Sequence, residues 1–211
     1  EIKNRNLQTL QEAKIWSDKN STNKLRYHFI HIENLPQKHA GVGLARKIGM
    51  DEAVARFDFI NKDGTIICYD ADSLCDKNYL TEIENLFDTN SKLQGCSIYF
   101  EHPISGNDFN KTIYDGIINY ELHLRYYVLA LRFCNLPFAF HTIGSSMAVI
   151  SSAYQKQGGM NKRKAGEDFY FLQKIIAQGN FAELKTTRVI PSPRVSDRVQ
   201  FGTGRAIGEW V

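Results

Sequence analysis

Two aspartates one residue apart, in Asp70-Ala71-Asp72-Ser73, follow directly on the strand-forming run Ile66-Ile67-Cys68-Tyr69. Carboxylates delivered together at the exit of a buried strand can share a divalent cation, or divide the work between a cation and ligand hydroxyls. Mg²⁺ and Mn²⁺ take such hard oxygens and keep waters and substrate phosphates in their remaining positions. The same residues also make an Asp-rich turn that simply ends a strand. A second acidic pair, Glu167-Asp168, follows Gly166 at the start of a helical pattern. Acidic groups there answer the positive end of a helix dipole, and a carboxylate held partly buried could also serve a hydroxyl as general base. Arg194, Arg198 and Arg205 recur among Ser and Gly after Pro191 and Pro193. Guanidinium groups along a Gly-rich loop suit a diphosphate through forked, charge-assisted hydrogen bonds. A mobile loop of that kind can close over a nucleotide and exclude water; a disordered basic tail is the plainer alternative.

Other polar residues read as structural. Glu121, His123 and Arg125 fit the solvated face of a long helix better than the border of a pocket. His141 fits a core or sheet-edge histidine better than a metal ligand. Lys162-Arg163-Lys164 fits a solvated surface. Ser145 and Ser146 could line an acceptor side, without any Ser-His-Asp arrangement nearby in the sequence.

The elements that must position these groups follow from periodicity. Helical spacing predicts helices over 4–17, 44–57, 78–87, 113–133 and 168–177. β-Branched and aromatic runs predict strands over 25–32, 66–69, 95–100, 138–142, 147–150 and 184–190. Strand and helix alternate through the first half, which is the pattern of an α/β sheet with parallel strands. Ligands of such sheets sit at the carboxyl ends of strands, where Asp70 and Asp72 fall.

The totals set bounds. A chain of 211 residues with 43% hydrophobic and 23% charged residues is most naturally one globular domain with a substantial core. A net charge of +3 gives no reason to expect nucleic acid. No run approaches the roughly 20 apolar residues of a membrane span, and no signal-peptide pattern opens the chain. The cysteines, Cys68, Cys75, Cys96 and Cys134, show neither zinc-site nor disulfide-framework spacing. They suit a reduced, cytoplasmic compartment, mostly as buried small hydrophobes. The chain opens at Glu1 inside a helical pattern and closes on Gly208-Glu209-Trp210-Val211 without a stop signal, as an excerpt truncated at both ends would.

The ordered set Gly43-Leu44-Ala45-Arg46-Lys47-Ile48-Gly49, Asp70-Ala71-Asp72, Gly144-Ser145-Ser146-Met147-Ala148, Gly158-Gly159 and Glu167-Asp168 resembles family 2 glycosyltransferases of the GT-A fold, across roughly residues 41–175. The resemblance implies a Rossmann-like α/β fold with a mixed, mainly parallel sheet flanked by helices. It also implies an inverting, metal-dependent transfer from a nucleotide-sugar donor to a saccharide or other hydroxyl acceptor. By position, Asp72 would contact a Mn²⁺ or Mg²⁺ ion, and Asp70 the ribose or the metal shell. Asp168 would take the acceptor proton, supported by Glu167. Arg46 would lie near the nucleotide, and Glu33 stands where the family usually has an Asp that reads the base. Two departures go with it. The family's first strand is not found upstream, and a Gln-x-x-Arg-Trp motif is not reproduced, since Gln200, Arg205 and Trp210 are spaced too widely. Any membrane association, at the inner face, would then fall to missing regions. A nucleotidyltransferase acting on sugar phosphates and a non-catalytic GT-A-like binding module are the competing readings.

Overall fold

The strand Gly95–Phe100 (β3) is buried along almost its whole length, which requires cover on both faces and a strand on each side. The computed structural model, which describes residues 2–196 and 202–211, supplies both. Strands Thr65–Cys68 (β1), Leu74–Cys75 (β2), β3, Met147–Ile150 (β4) and Phe181–Ile190 (β5) form one sheet in the order β1-β4-β3-β5-β2. The chain divides into two units, residues 1–38 and 39–211, and the sheet belongs to the second.

The pleat sorts the core. Met147 and Val149 point to one face and Ala148, between them, to the other, as the two-residue period of a strand requires. On the first face Ile66, Met147 and Val149 pack with Met50 of helix Val42–Phe59 (α2). They also meet Phe171, Leu172 and Ile175 of helix Glu167–Ile176 (α6), with the short helix Ser151–Lys156 (α5) beside them. On the other, Cys96, Ile98 and Phe100 pack with Tyr79, Ile83 and Phe87 of helix Tyr79–Thr89 (α3), and Leu124 of helix Lys111–Phe133 (α4) joins them. A last helix, Thr203–Trp210 (α7), lies against α4.

The mixed α/β sheet flanked by helices matches the fold expected from the sequence. Its parallel component is narrower: β1, β3 and β5 run the same way, but only β3 and β5 are parallel neighbours, because antiparallel β4 stands between β1 and β3. Two expected strands do not form. Residues 138–142 turn instead, with Phe140 N–H bonded to Phe138 C=O at 2.8 Å and the Phe140 ring edge-on to Phe181 at 4.9 Å. Residues 25–32 are irregular and leave Leu25, Phe29, Ile30 and Ile32 exposed; unit 1 has no second strand among its described residues with which a ladder could form. That unit consists of helix Ile2–Asn20 (α1) and the following segment, tied by Trp16 edge-on to Tyr27 at 5.1 Å. All four cysteines are free; Cys68 and Cys96 are buried, Cys75 and Cys134 exposed.

Candidate active site

The turn after β1 is built by its own polar groups. Ser73 N–H donates to Asp70 C=O at 3.0 Å, and Tyr69 Oη donates to Ser73 C=O at 2.7 Å. The two aspartates are thereby held at the end of the sheet, half exposed, on a cavity of about 870 Å³. Asp168, from the first turn of α6, lines the same cavity, as do Arg46 of α2 and Arg194 from the segment after β5.

Arg46 ties the two acidic motifs together. Its Nη2 lies 2.8 Å from Asp70 Oδ1 and its Nη1 is bonded to Glu167 Oε1. Burial works to lower the Arg46 pKa, but the Asp70 and Glu167 carboxylates outweigh it and the value is raised. Room for the guanidinium comes from Gly144, where a Cβ would stand 2.5 Å from the Arg46 head group. Glu167 is itself buried. Burial and then the neighbouring Asp168 charge push its carboxyl up, and Arg46 offsets part of that. Asp168 is likewise raised by burial, against the Phe169 N–H that donates to its Oδ1 at 2.8 Å and the charge of Arg46.

Arg194 Nε donates to Asp72 Oδ2 at 2.6 Å, so a cation of the chain itself faces the second aspartate. Both carboxylates are hard donors open to the cavity, and no group of three or more His, Cys, Asp or Glu side chains able to hold a metal ion occurs among the described residues. Asp70 and Asp72 are the carboxylates of this cavity that could hold a divalent cation, with waters and ligand oxygens filling the rest of its shell.

Most of the remaining predicted residues fall elsewhere. Glu167 lies behind Arg46, outside the cavity lining. Arg205 pairs with Glu209 along α7 at 2.8 Å and is not on the cavity wall. Glu33, in unit 1, is ion-paired to Lys3 at 3.2 Å. Arg198 and Gln200 lie outside the described residues. Ser145 lines the cavity. His141 packs edge-on to Phe100 at 5.1 Å, and burial, then Arg125, lowers its pKa.

The lining residues not singled out from the sequence include His102, just beyond β3, Tyr120 of α4, and Thr203 at the start of α7. Glu121, expected on a solvated face, is buried and accepts from both the His102 backbone N–H at 2.8 Å and, at 2.7 Å, His102 Nδ1. A signal for it existed: Glu121 sits four residues after Ile117 and three before Leu124, inside the apolar stripe of α4.

A family model described as glycosyl transferase family group 2 matches residues 65–210 of this chain. No curated protein and no solved structure gives a match.

Proposed function

The chain belongs to glycosyl transferase family group 2, and from that premise we propose that it moves a sugar from a nucleoside-diphosphate donor to an acceptor hydroxyl, with a divalent cation and inversion at the anomeric carbon. The observation that carries the reading is the meeting of Asp70, Asp72 and Asp168, from distant parts of the chain, around one cavity.

Transfer requires a diphosphate to leave while a hydroxyl arrives, so the cleft must stabilise negative charge at one end and remove a proton at the other. Asp72, with Asp70 beside it, would hold the Mg²⁺ or Mn²⁺ ion, which when bound supplies Lewis acidity toward the leaving diphosphate. Arg194, once released from Asp72, can meet the same diphosphate with directed N–H groups. Arg46 holds Asp70 and Glu167 in register, so the two acidic motifs keep their spacing. Asp168 takes the acceptor proton; its raised pKa suits a base, because a more basic carboxylate accepts a proton more readily. Attack by the acceptor itself, opposite the departing diphosphate, inverts the centre.

The test is a donor screen by calorimetry with UDP-, GDP- and TDP-sugars, with and without Mn²⁺, followed by product analysis. Mn²⁺-dependent binding of one donor and release of a nucleoside diphosphate is the expected outcome. Release of pyrophosphate from a nucleoside triphosphate and a sugar phosphate would replace this reading with nucleotidyl transfer. Binding without turnover in the presence of hydroxyl acceptors would leave only a sugar-binding module.

A further inference from the structure

The cavity wall beside Asp168 is made of polar side chains to which donor binding and proton removal give no task. Tyr120 lines the cavity together with Asp168 and Thr203, and after burial the Asp168 carboxylate charge helps to raise its phenol pKa. Thr203 Oγ1 lies 3.2 Å from His102 Nε2. Behind it, His102 Nδ1 lies 2.7 Å from Glu121 Oε1, and Arg125 Nη2 lies 2.7 Å from Glu121 Oε2.

The direction of this chain is fixed from its buried end. Burial works against the Glu121 charge, but the His102 imidazole and backbone N–H, with Arg125, outweigh it and hold the carboxyl below its ordinary range. An ionised carboxylate has no hydrogen to give, so His102 Nδ1 carries one and the ring turns Nε2 toward Thr203. Buried ionic groups are tolerated when every partner is satisfied, and here the satisfied partners end on one hydroxyl of the cleft. The helix bearing that hydroxyl is docked as well: Ile207 of α7 is fully buried, and the Trp210 ring occupies the space that a Cβ on Gly116 of α4 would need, 2.9 Å away.

Resting on the sugar-transfer reading, we propose that Glu121 and His102 are positioning residues for the acceptor, fixing Thr203, which with Tyr120 on the same wall offers a pair of hydroxyls that orient a saccharide beside Asp168. An acceptor hydroxyl must give its proton to Asp168 while its lone pair faces the anomeric carbon, and small errors in that alignment are costly. Tyr120 and Thr203 share the cavity wall with Asp168, and their hydroxyls can bond to a ligand hydroxyl that the base deprotonates. A polyhydroxylated ring is the ligand class this wall suits.

The experiment compares two fates of one donor: transfer to methyl glycosides and hydrolysis by water, in the same reaction with Mn²⁺. Water needs no orienting pair, so the ratio of transfer to hydrolysis reads acceptor positioning, and a partly misfolded preparation leaves that ratio unmoved. Thr203→Val and His102→Phe should lower the ratio about tenfold, the scale of one lost hydrogen bond, and Thr203→Ser should restore it. An unchanged ratio in both variants would overturn the assignment while the transferase reading stood. Donor hydrolysis without transfer to any methyl glycoside in the wild-type enzyme would overturn a saccharide acceptor. Failure of the wild type to consume any nucleotide sugar would instead sink the transferase reading on which this rests.

Discussion

Asp168 is asked to be both half-buried and charged, and the two demands pull against each other. Its folded pKa is raised, chiefly by burial, so the folded state binds the proton more tightly than the unfolded chain does. The stability this provides is fully present below the unfolded aspartate value, about 3.9, and is lost as pH rises through the folded value. At neutral pH the carboxylate is therefore a local cost. Asp168→Asn should raise Tm at pH 7, with the gain shrinking in acid. The same variant should lose at least about a hundredfold in transfer and keep donor binding. The acid limb of the wild-type pH–rate profile should lie above the range of an ordinary aspartate. Arg194 poses a different contest. Its pair with Asp72 is half exposed on both sides, and such pairs contribute about 0.2–1 kcal/mol. Arg194→Ala should therefore strengthen Mn²⁺ binding in the absence of donor by no more than about fivefold. With donor present it should raise KM about tenfold or more, because a charge-assisted hydrogen bond to the diphosphate is lost. Calorimetry and steady-state kinetics separate the two effects.

Elements place these residues, and the seam between α4 and α7 is where that placement is most exposed to a single change. Gly116 is buried under Trp210 and Ile207, with the nearest ring atom 2.9 Å from where a Cβ would stand. Gly116→Val should force α7 away from α4 at a cost of about 1–3 kcal/mol, and Thr203 should move with it. Transfer should then fall further than the fraction unfolded accounts for, as read from Tm and turnover on one preparation. This seam was not legible in the sequence. The segment after β5 reads as a Gly-rich basic loop, because Gly202, Gly204 and Gly208 weaken any helical signal, yet α7 forms since Ile207 and Trp210 have a partner on α4. Where burial alone decides the element, the sequence was informative: β3 occupies 95–100 as its apolar run predicts, and α4 and α6 fall within two residues of their expected limits. Strands that depend on a distant partner were not readable in the same way. Residues 25–32 have strand-forming composition without a ladder, whereas the two-residue β2 exists only because Val189 and Ile190 stand opposite it. The acidic pairs announced themselves by type and position. Arg46 reads as a nucleotide contact, and only the fold reveals that it joins Asp70 to Glu167. His102 gave no local signal, because its meaning lies in a glutamate on another element.

At the scale of the molecule, the two units differ in what sustains them. The buried apolar clusters on both faces of the sheet are drawn entirely from residues 50–189, and every side chain lining the candidate site belongs to residues 40–204. Unit 1, by contrast, has a single buried residue on α1, Ser17, and shows Ile15, Trp16, Phe29 and Ile30 to solvent. A helix without an apolar face to bury lacks the tertiary packing that supplies most helical stability in proteins. Residues 39–211 produced alone should therefore fold, with a single cooperative thermal transition and a near-ultraviolet circular dichroism spectrum of fixed aromatic packing. Residues 1–38 alone should be largely unfolded in the far ultraviolet. A shortened chain that collapses without a cooperative transition would mean that the sheet draws on the first unit for its stability. On the proposed reading the same shortened chain should bind Mn²⁺ through Asp70 and Asp72, and Asp72→Asn should remove that binding while leaving the transition in place, because the Asp72 carboxylate is half exposed and lies outside the apolar clusters that supply the fold.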